Sequence, residues 1–483
     1  MKHTKLTSFL ILFSFGFFPI YAQQNVTSKI KTYFTQPVDN TFSNGVTAHY
    51  LNNSVFDTLA AYINRAKYTI DIAQYEYKTY TGDPIATAVN AAHTRGVKVR
   101  FIQDGSYAST NSGVALLNAA IPVIASPTGG VYGIMHNKFV IIDEYSTDTT
   151  KAIVWTGSPD WDQTMSSGDY NNVIIFQSKV LARAYTNEFN IMWGDTTHGG
   201  AANAANEKFG PNKPNSGTHI FSIGGSKVEL YFSPSDGVNN QIVAAINTAQ
   251  TDLYCGMFTF TETTDANDIV TRKNAGAFAA AILDNYSSGS SSPYTSILPT
   301  GLGANFVGYV ASNTLYHNKY LIVNPSAYCQ DPLVLTGSHN WTSSADTKND
   351  ENTVIVHNDT IANEYLQSFA GDFKAIKGSS LAKTTSSCPP MGVSMISEPE
   401  IQISVFPNPY NGNVNISYSP AQDTRVTISV YNLIGEKVAI LVNDHIVETG
   451  NHVYTFNGPA PGVYILQVAE GNRTITKKLL QTE

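Results

Sequence analysis

Two stretches of the sequence carry the same chemistry-bearing residues at the same spacing: HNKFVIID from His136 to Asp143, and HNKYLIVN from His317 to Asn324. A histidine changes protonation near neutral pH, with an unperturbed pKa of ~6.5, and a lysine supplies positive charge. In a strand the side chains alternate faces, so His136 shares a face with Lys138, and His317 with Lys319. Each pair suits a phosphate ester: the ammonium stabilises charge spreading over the phosphoryl oxygens, while the imidazole attacks phosphorus or moves a proton. A lone histidine of this kind reads as a core residue. Two copies in matched surroundings, each beside a lysine that is costly to bury, point to one shared site.

The elements that must position these residues also come twice. In the first half VTAHYL reads as a strand, SVFDTLAAYINRA as a helix, YTIDIAQYEY as a strand, IATAVNAAHTRG as a helix stopped by Gly96, and VKVRFIQD as a strand. The second half answers with KVELYFSP, NNQIVAAINTAQ and TDLYCGMFTF, and AGAFAAAILDNYS reads as its helix. Behind each HNK strand a further strand enters a turn, VWTGSPDW or VLTGSHNW, followed by DYNNVIIF or DENTVIV. The expected class is α/β: two duplicated α-β-α sandwich halves, 23–215 and 216–375, packed about a pseudo-twofold that brings both histidines to one phosphate. Such a duplication makes a monomer sufficient for one site.

His136, Lys138 and Asp143 fit the pattern HxKxxxxD, and TGSPDW and TGSHNW resemble the GSxN stretch that follows it in the phospholipase D superfamily. The resemblance covers about residues 45–375. It implies a phosphohistidine intermediate formed with no metal or other cofactor, completed by water or an alcohol. It also implies that the two lysines hold the phosphoryl oxygens together with Ser158, Ser338 and Asn340, and that an acid after each GS turn orients the opposite half's histidine. Glu351 and Asp169 are the candidates for that role, since a carboxylate on Nδ1 fixes the tautomer. Two departures stand out: Asn324 replaces the second motif's Asp, and Asp160 replaces the first motif's GSxN amide. The copies are therefore expected to be specialised, His136 as nucleophile and His317 as acid, with Lys138, Lys319, Asp143, Asn324, Glu351 and Asp169 completing the catalytic set.

The ends of the chain speak of export. Lys2 and Lys5 precede an apolar run from Leu6 to Ile20 and the small residue Ala22, the pattern of a signal peptide over residues 1–22. Residues 376–400 are rich in Ser, Thr, Gly and Pro and read as a linker, and 401–483 reads as a small all-β sandwich. VFPNP, VYNLIGEKV, GVYILQV and the closing KKLL resemble the type A sorting domain of the type IX secretion system. That resemblance implies the type IX machinery as a partner and a secreted or cell-surface location. Three cysteines are too few for a disulfide framework; Cys255 reads as core, while Cys329 and Cys388 lie in loops, either bridged to each other or free.

Composition narrows the substrate. The formal charge is -8, whereas proteins that grasp polynucleotide backbones usually present the opposite balance. An aromatic content of 11% suits an apolar approach to lipid. A glycerophospholipid or membrane surface is the leading substrate, nucleic acid the alternative, and a non-catalytic binding module the third reading. Trp161, Trp341 and Tyr316 near the motifs are read either as core or as contacts for an acyl glycerol or a base.

Overall fold

In the computed structural model, residues 29–108, 112–385, 388, 402–420, 423–470 and 473–482 are described; the expected leader at 1–22 and most of the linker lie outside them. The first half forms a seven-stranded sheet from β1 (Ile30–Phe34), β2 (Thr69–Gln74), β3 (Lys98–Gln103), β4 (Val123–Ala125), β5 (Lys138–Ile142), β6 (Ile153–Gly157) and β7 (Asn172–Gln177), in the order β1-β7-β6-β5-β2-β3-β4. The second half uses β8 (Ile220–Ile223), β9 (Ser226–Ser233), β10 (Asp252–Met257), β11 (Phe278–Asp284), β12 (Phe306–Tyr309), β13 (Lys319–Val323), β14 (Leu333–Gly337) and β15 (Glu351–His357), in the order β8-β9-β15-β14-β13-β10-β11-β12. Apart from the extra edge strand β8 the two orders are the same, so β5 and β13 hold equivalent central places.

Two element readings are corrected. AGAFAAAILDNYS is not the second half's helix: its Phe278–Asp284 segment is β11, parallel to β10 and β12, and the helix before it is the polar Thr263–Asn274. Alanine's helix propensity loses to burial on both faces of a parallel strand, where an uninterrupted apolar run is the rule. VTAHYL is not a strand either. Its backbone touches the sheet only where Phe34 and Leu51 donate to His49 and Phe34 carbonyls, because β1 already occupies that edge beside β7.

The two sheets share an apolar core. Phe139, Ile141, Tyr185 and Phe189 of the first half lie in one cluster with Val228, Leu230, Tyr320 and Phe369 of the second. The outward faces carry separate clusters under Val55–Ile63 and Pro84–Thr94 in one half, and under Val238–Asn247 and Thr263–Asn274 in the other. Each buried aliphatic or aromatic side chain contributes ~1.5–3 kcal/mol, so the shared cluster holds the halves in one register. Polar bonds fix that register: Asn352 Nδ2 donates to Thr156 Oγ1 at 2.7 Å, and Thr336 Oγ1 donates to Asn172 Oδ1 at 2.8 Å. At or just before each histidine the backbone pairs with the opposite half, His136 N donating to Asp350 O and Tyr170 N to Leu315 O, both at 2.9 Å. The disulfide Cys329–Cys388 also forms, and Cys255 is a buried thiol in β10.

Asp143 and Asn324 close β5 and β13 in the left-handed region, at φ 54° and 53°, which their short polar side chains tolerate. The Asp143 carboxylate accepts from the N–H groups of Lys67, Tyr68 and Thr69 at 2.7–3.1 Å. Asn324 Oδ1 accepts from Gln250 N and Thr251 N at 2.9 and 3.0 Å. Both pin the turn that starts the neighbouring strand, at the end of β5 or β13 remote from the histidine. This corrects their expected catalytic role, and it explains why an amide serves in the second copy. The chain divides into two compact units, residues 1–388 and 389–483. The second carries a three-stranded sheet (Gln402–Phe406, Val414–Ser419, His452–Phe456) and a four-stranded one (Thr424–Asn432, Lys437–Val447, Gly462–Glu470, Arg473–Gln481) around Ile416, Ile428, Val430, Leu466 and Val468. No helix among the described residues is long and apolar enough to cross a membrane.

All four tryptophans belong to the first unit, so their fluorescence reports its unfolding alone. Asp143→Ala strands three backbone donors and is expected to lower stability by about 2–4 kcal/mol in urea, whereas Asp143→Asn, copying Asn324, costs about 1 kcal/mol or less.

Candidate active site

β5 and β13 begin at Lys138 and Lys319, so each histidine sits just ahead of its strand with the lysine on the same face. His136, Lys138, His317 and Lys319 are all less than 5% exposed. Each pair is roofed by the residue that follows the neighbouring strand. The Tyr75 ring lies 4.7 Å from that of His136 and 4.7 Å from Lys138 Nζ; the Phe258 ring lies 4.7 Å from that of His317 and 5.0 Å from Lys319 Nζ. These aromatic faces stabilise the ammonium groups and shed water from them.

Glu351 opens β15 and reaches across the seam: its Oε2 lies 2.7 Å from His136 Nδ1 and accepts a second bond, also 2.7 Å, from Ser338 Oγ. A carboxylate can only accept, so Nδ1 carries the proton and the lone pair is left on Nε2. His317 is held differently. Its Nδ1 bonds Asn171 Oδ1 at 3.1 Å, and that oxygen accepts from Ser158 Oγ at 2.7 Å. Asp169 does not take the orienting role expected of it, because its Oδ1 is occupied by the N–H of Leu315 at 2.5 Å. Asn171 stands there instead, and the spacing carried the signal: 13 residues separate Ser158 from Asn171, as 13 separate Ser338 from Glu351.

The serines thus brace the groups that hold the histidines, and their own N–H groups donate to Asn172 O and Asn352 O, at 3.0 Å each. Their expected contact with phosphoryl oxygens is corrected to this supporting one. Asn340 Oδ1 accepts from Thr259 N at 3.3 Å, which fixes its amide. Asp160 lies at the centre: Oδ1 is 2.5 Å from Lys138 Nζ and Oδ2 is 3.7 Å from His317 Nε2. One carboxylate therefore links the two halves' pairs. His339, also buried, has both ring nitrogens unpartnered; burial pushes its pKa down to about 4, with Glu351 opposing the shift. Trp161, Trp341 and Tyr316 are core, the first two packed on Tyr77 and Phe260.

Burial holds both histidines well below their ordinary range; Lys138 adds to the effect at His136, and Lys319 and then Lys138 add to it at His317. Burial, with Lys138 next, brings Lys319 down to about 7. Burial also raises the Glu351 carboxyl. The resting site thus offers two neutral imidazoles, and an anion placed beside them would supply the negative charge that lets one take a proton. In-line displacement at phosphorus needs such a pair: one imidazole with a free lone pair, and another able to protonate the departing oxygen.

Residues 59–193 and 242–373 match the family described as Cardiolipin synthase, PLD-like domain. This is more than half of the chain, and the protein belongs to that phospholipase D-like family. Residues 404–482 match the Secretion system C-terminal sorting domain, so the tail is of the type IX sorting kind. Over 142 residues the chain is 29% identical to the mitochondrial cardiolipin hydrolase of Xenopus tropicalis, covering 29% of this chain and 62% of that protein. Over 151 residues it is 24% identical to a phospholipase D of Rickettsia bellii, covering 31% and 71%. The chain spans less than two thirds of the length of the cardiolipin hydrolase. Phosphatidylserine synthase of Haemophilus influenzae is 14% identical with a TM-score of 0.49, covering 71% of this chain and 85% of that one.

Lys319 loses its proton, and with it a positive charge of the site, as pH rises through about 7, while the pKa of His136 is held well below its ordinary 6.5. On a soluble diester such as bis(p-nitrophenyl) phosphate, kcat/KM is therefore expected to fall above pH ~7 and to hold up in mild acid. Lys319→Arg, with a guanidinium pKa of ~12 or more, is expected to move the alkaline limb up by over one pH unit.

Proposed function

We propose that this protein is a secreted phosphodiesterase that hydrolyses head-group esters of glycerophospholipids through a phosphohistidine on His136. The observation that carries the reading is the cross-half bond from Glu351 to His136 Nδ1 beside the Lys138–Asp160–His317 link, since it gives the two imidazoles different settings within one site. His136 Nε2 attacks phosphorus, and the bond from phosphorus to the head-group oxygen breaks. The departing oxygen takes its proton from the His317 imidazolium. Water then gives a proton to His317 and its oxygen bonds phosphorus, while the P–N bond returns its electrons to His136. Lys138 and Lys319 stabilise the phosphoryl oxygens throughout, and the Asn340 amide is the further candidate donor.

The lipid substrate is supported by the formal charge of -8, by the aromatic rings over both pairs, and by relatives named cardiolipin hydrolase and phospholipase D. The leader at 1–22 and the sorting tail support passage through the periplasm and export by the type IX machinery, with the tail then removed or used as an anchor.

The test incubates purified protein with EDTA and, separately, phosphatidylcholine vesicles, phosphatidylethanolamine vesicles and single-stranded DNA. Free choline or ethanolamine is expected, and His136→Ala and His317→Asn should each reduce its release by about 10²–10⁴-fold. Nucleotide release in its place would make the protein a nuclease built on the same two histidines. No turnover of any of the three would leave a binding module, and turnover that survives both changes would place the chemistry on other residues; either result defeats the proposal.

A further inference from the structure

Asp160 stands where the second half has the neutral Asn340, and among the described residues it is the one acidic side chain in contact with both His–Lys pairs. It is 3% exposed, and its oxygens face Lys138 Nζ at 2.5 Å, Gln74 Nε2 at 3.4 Å and His317 Nε2 at 3.7 Å. Its charge is also felt at Tyr75, Glu76, Tyr107, His136 and Lys319, so its field covers the whole site. Asp160 and Glu351 oppose the two lysines, with the charges of Asp104, Asp284 and Glu76 also felt at the two pairs, so with Asp160 present the resting site carries no formal excess of positive charge.

That balance bears on which phosphate can stay. A phosphodiester carries one negative charge, whereas a phosphomonoester, whose second ionisation lies near pH ~6, carries close to two at neutral pH. Coulomb repulsion scales with the ligand's charge, so a carboxylate on the phosphate seat penalises the monoester about twice as much as the diester. The same carboxylate occupies Lys138, which a phosphoryl oxygen must win from it. We propose that Asp160 is a charge-selecting residue: it makes the site prefer singly charged diesters and expel doubly charged phosphomonoesters, including the product of diester hydrolysis. The proposal rests on the reading that phosphate binds between the two histidines. A purely structural Lys138–Asp160 pair would hold the lysine in place without regard to the ligand's charge.

The test measures binding, so it does not require turnover. Dimethyl phosphate, a monoanion, and methyl phosphate, largely a dianion, are titrated calorimetrically into the full-length protein at pH 7.0, wild type against Asp160→Asn. The change is isosteric and reproduces the amide found at Asn340. The ratio of methyl phosphate to dimethyl phosphate affinity is expected to rise at least tenfold in Asp160→Asn. Asn340→Asp, which adds a carboxylate at the equivalent place in the other half, is expected to lower the ratio, and it reads the same property if Asp160→Asn fails to fold. If both anions bind and the ratio stays within twofold in the folded variants, Asp160 is not charge-selecting and the proposal falls alone. If neither anion binds wild type or a folded variant, the phosphate seat itself is wrong and both proposals fall.

Discussion

The bond between Glu351 and His136 joins residues 215 positions apart and belonging to different halves of the molecule. Neither half can make the site alone: the first supplies the imidazole, and the second supplies the carboxylate that sets its tautomer. In a buried site a misplaced carboxylate costs several kcal/mol, because a desolvated charge without its partner is poorly tolerated. The shared core and the Thr156–Asn352 and Thr336–Asn172 bonds are therefore conditions for the chemistry as much as for stability. They hold two loops and two strand starts to the few tenths of an ångström that a 2.7 Å hydrogen bond demands.

Duplication makes equivalent positions, and the two copies have since been put to different use. Glu351 and Asn171 hold their histidines from matching places, one with a charge and one without. Asp160 and Asn340 divide the other way, with the carboxylate now in the first half. Each half thus contributes one acid, and the two acids serve opposite histidines: Glu351 lies on Nδ1 of His136, Asp160 near Nε2 of His317. The outcome is a site with two-fold geometry and one-fold electrostatics, which is what a reaction with distinct nucleophile and acid requires.

Much of this was legible in the sequence, because side-chain alternation and repeat spacing are local properties. The His–Lys pairs, the repeated GS turns and the order of most elements follow from them, and Glu351 from the resemblance to the phospholipase D superfamily. Legibility failed where tertiary context overrides local preference. The alanines of Phe278–Asp284 favour a helix but fill a central strand, and Asp143 resembles a catalytic acid but closes a left-handed turn. Asp169 looked closer in kind to Glu351 than Asn171 does, and only the count from the GS serine distinguishes them. Tyr75 and Phe258 carry no such signal, because an aromatic at the end of a buried strand resembles any other core residue until the neighbouring strand brings a lysine beneath it.

The central claim is that two imidazoles from different halves act on one phosphorus atom in unequal roles. The most direct measurement is intact and peptide mass spectrometry, under alkaline quench, of His317→Asn exposed to a diester with a p-nitrophenolate leaving group, which needs no acid to depart. The account predicts one phosphoryl adduct per chain, located on His136 and absent from the His136→Ala protein. An adduct on another residue, or nitrophenol release with no adduct at all in either protein, would contradict it.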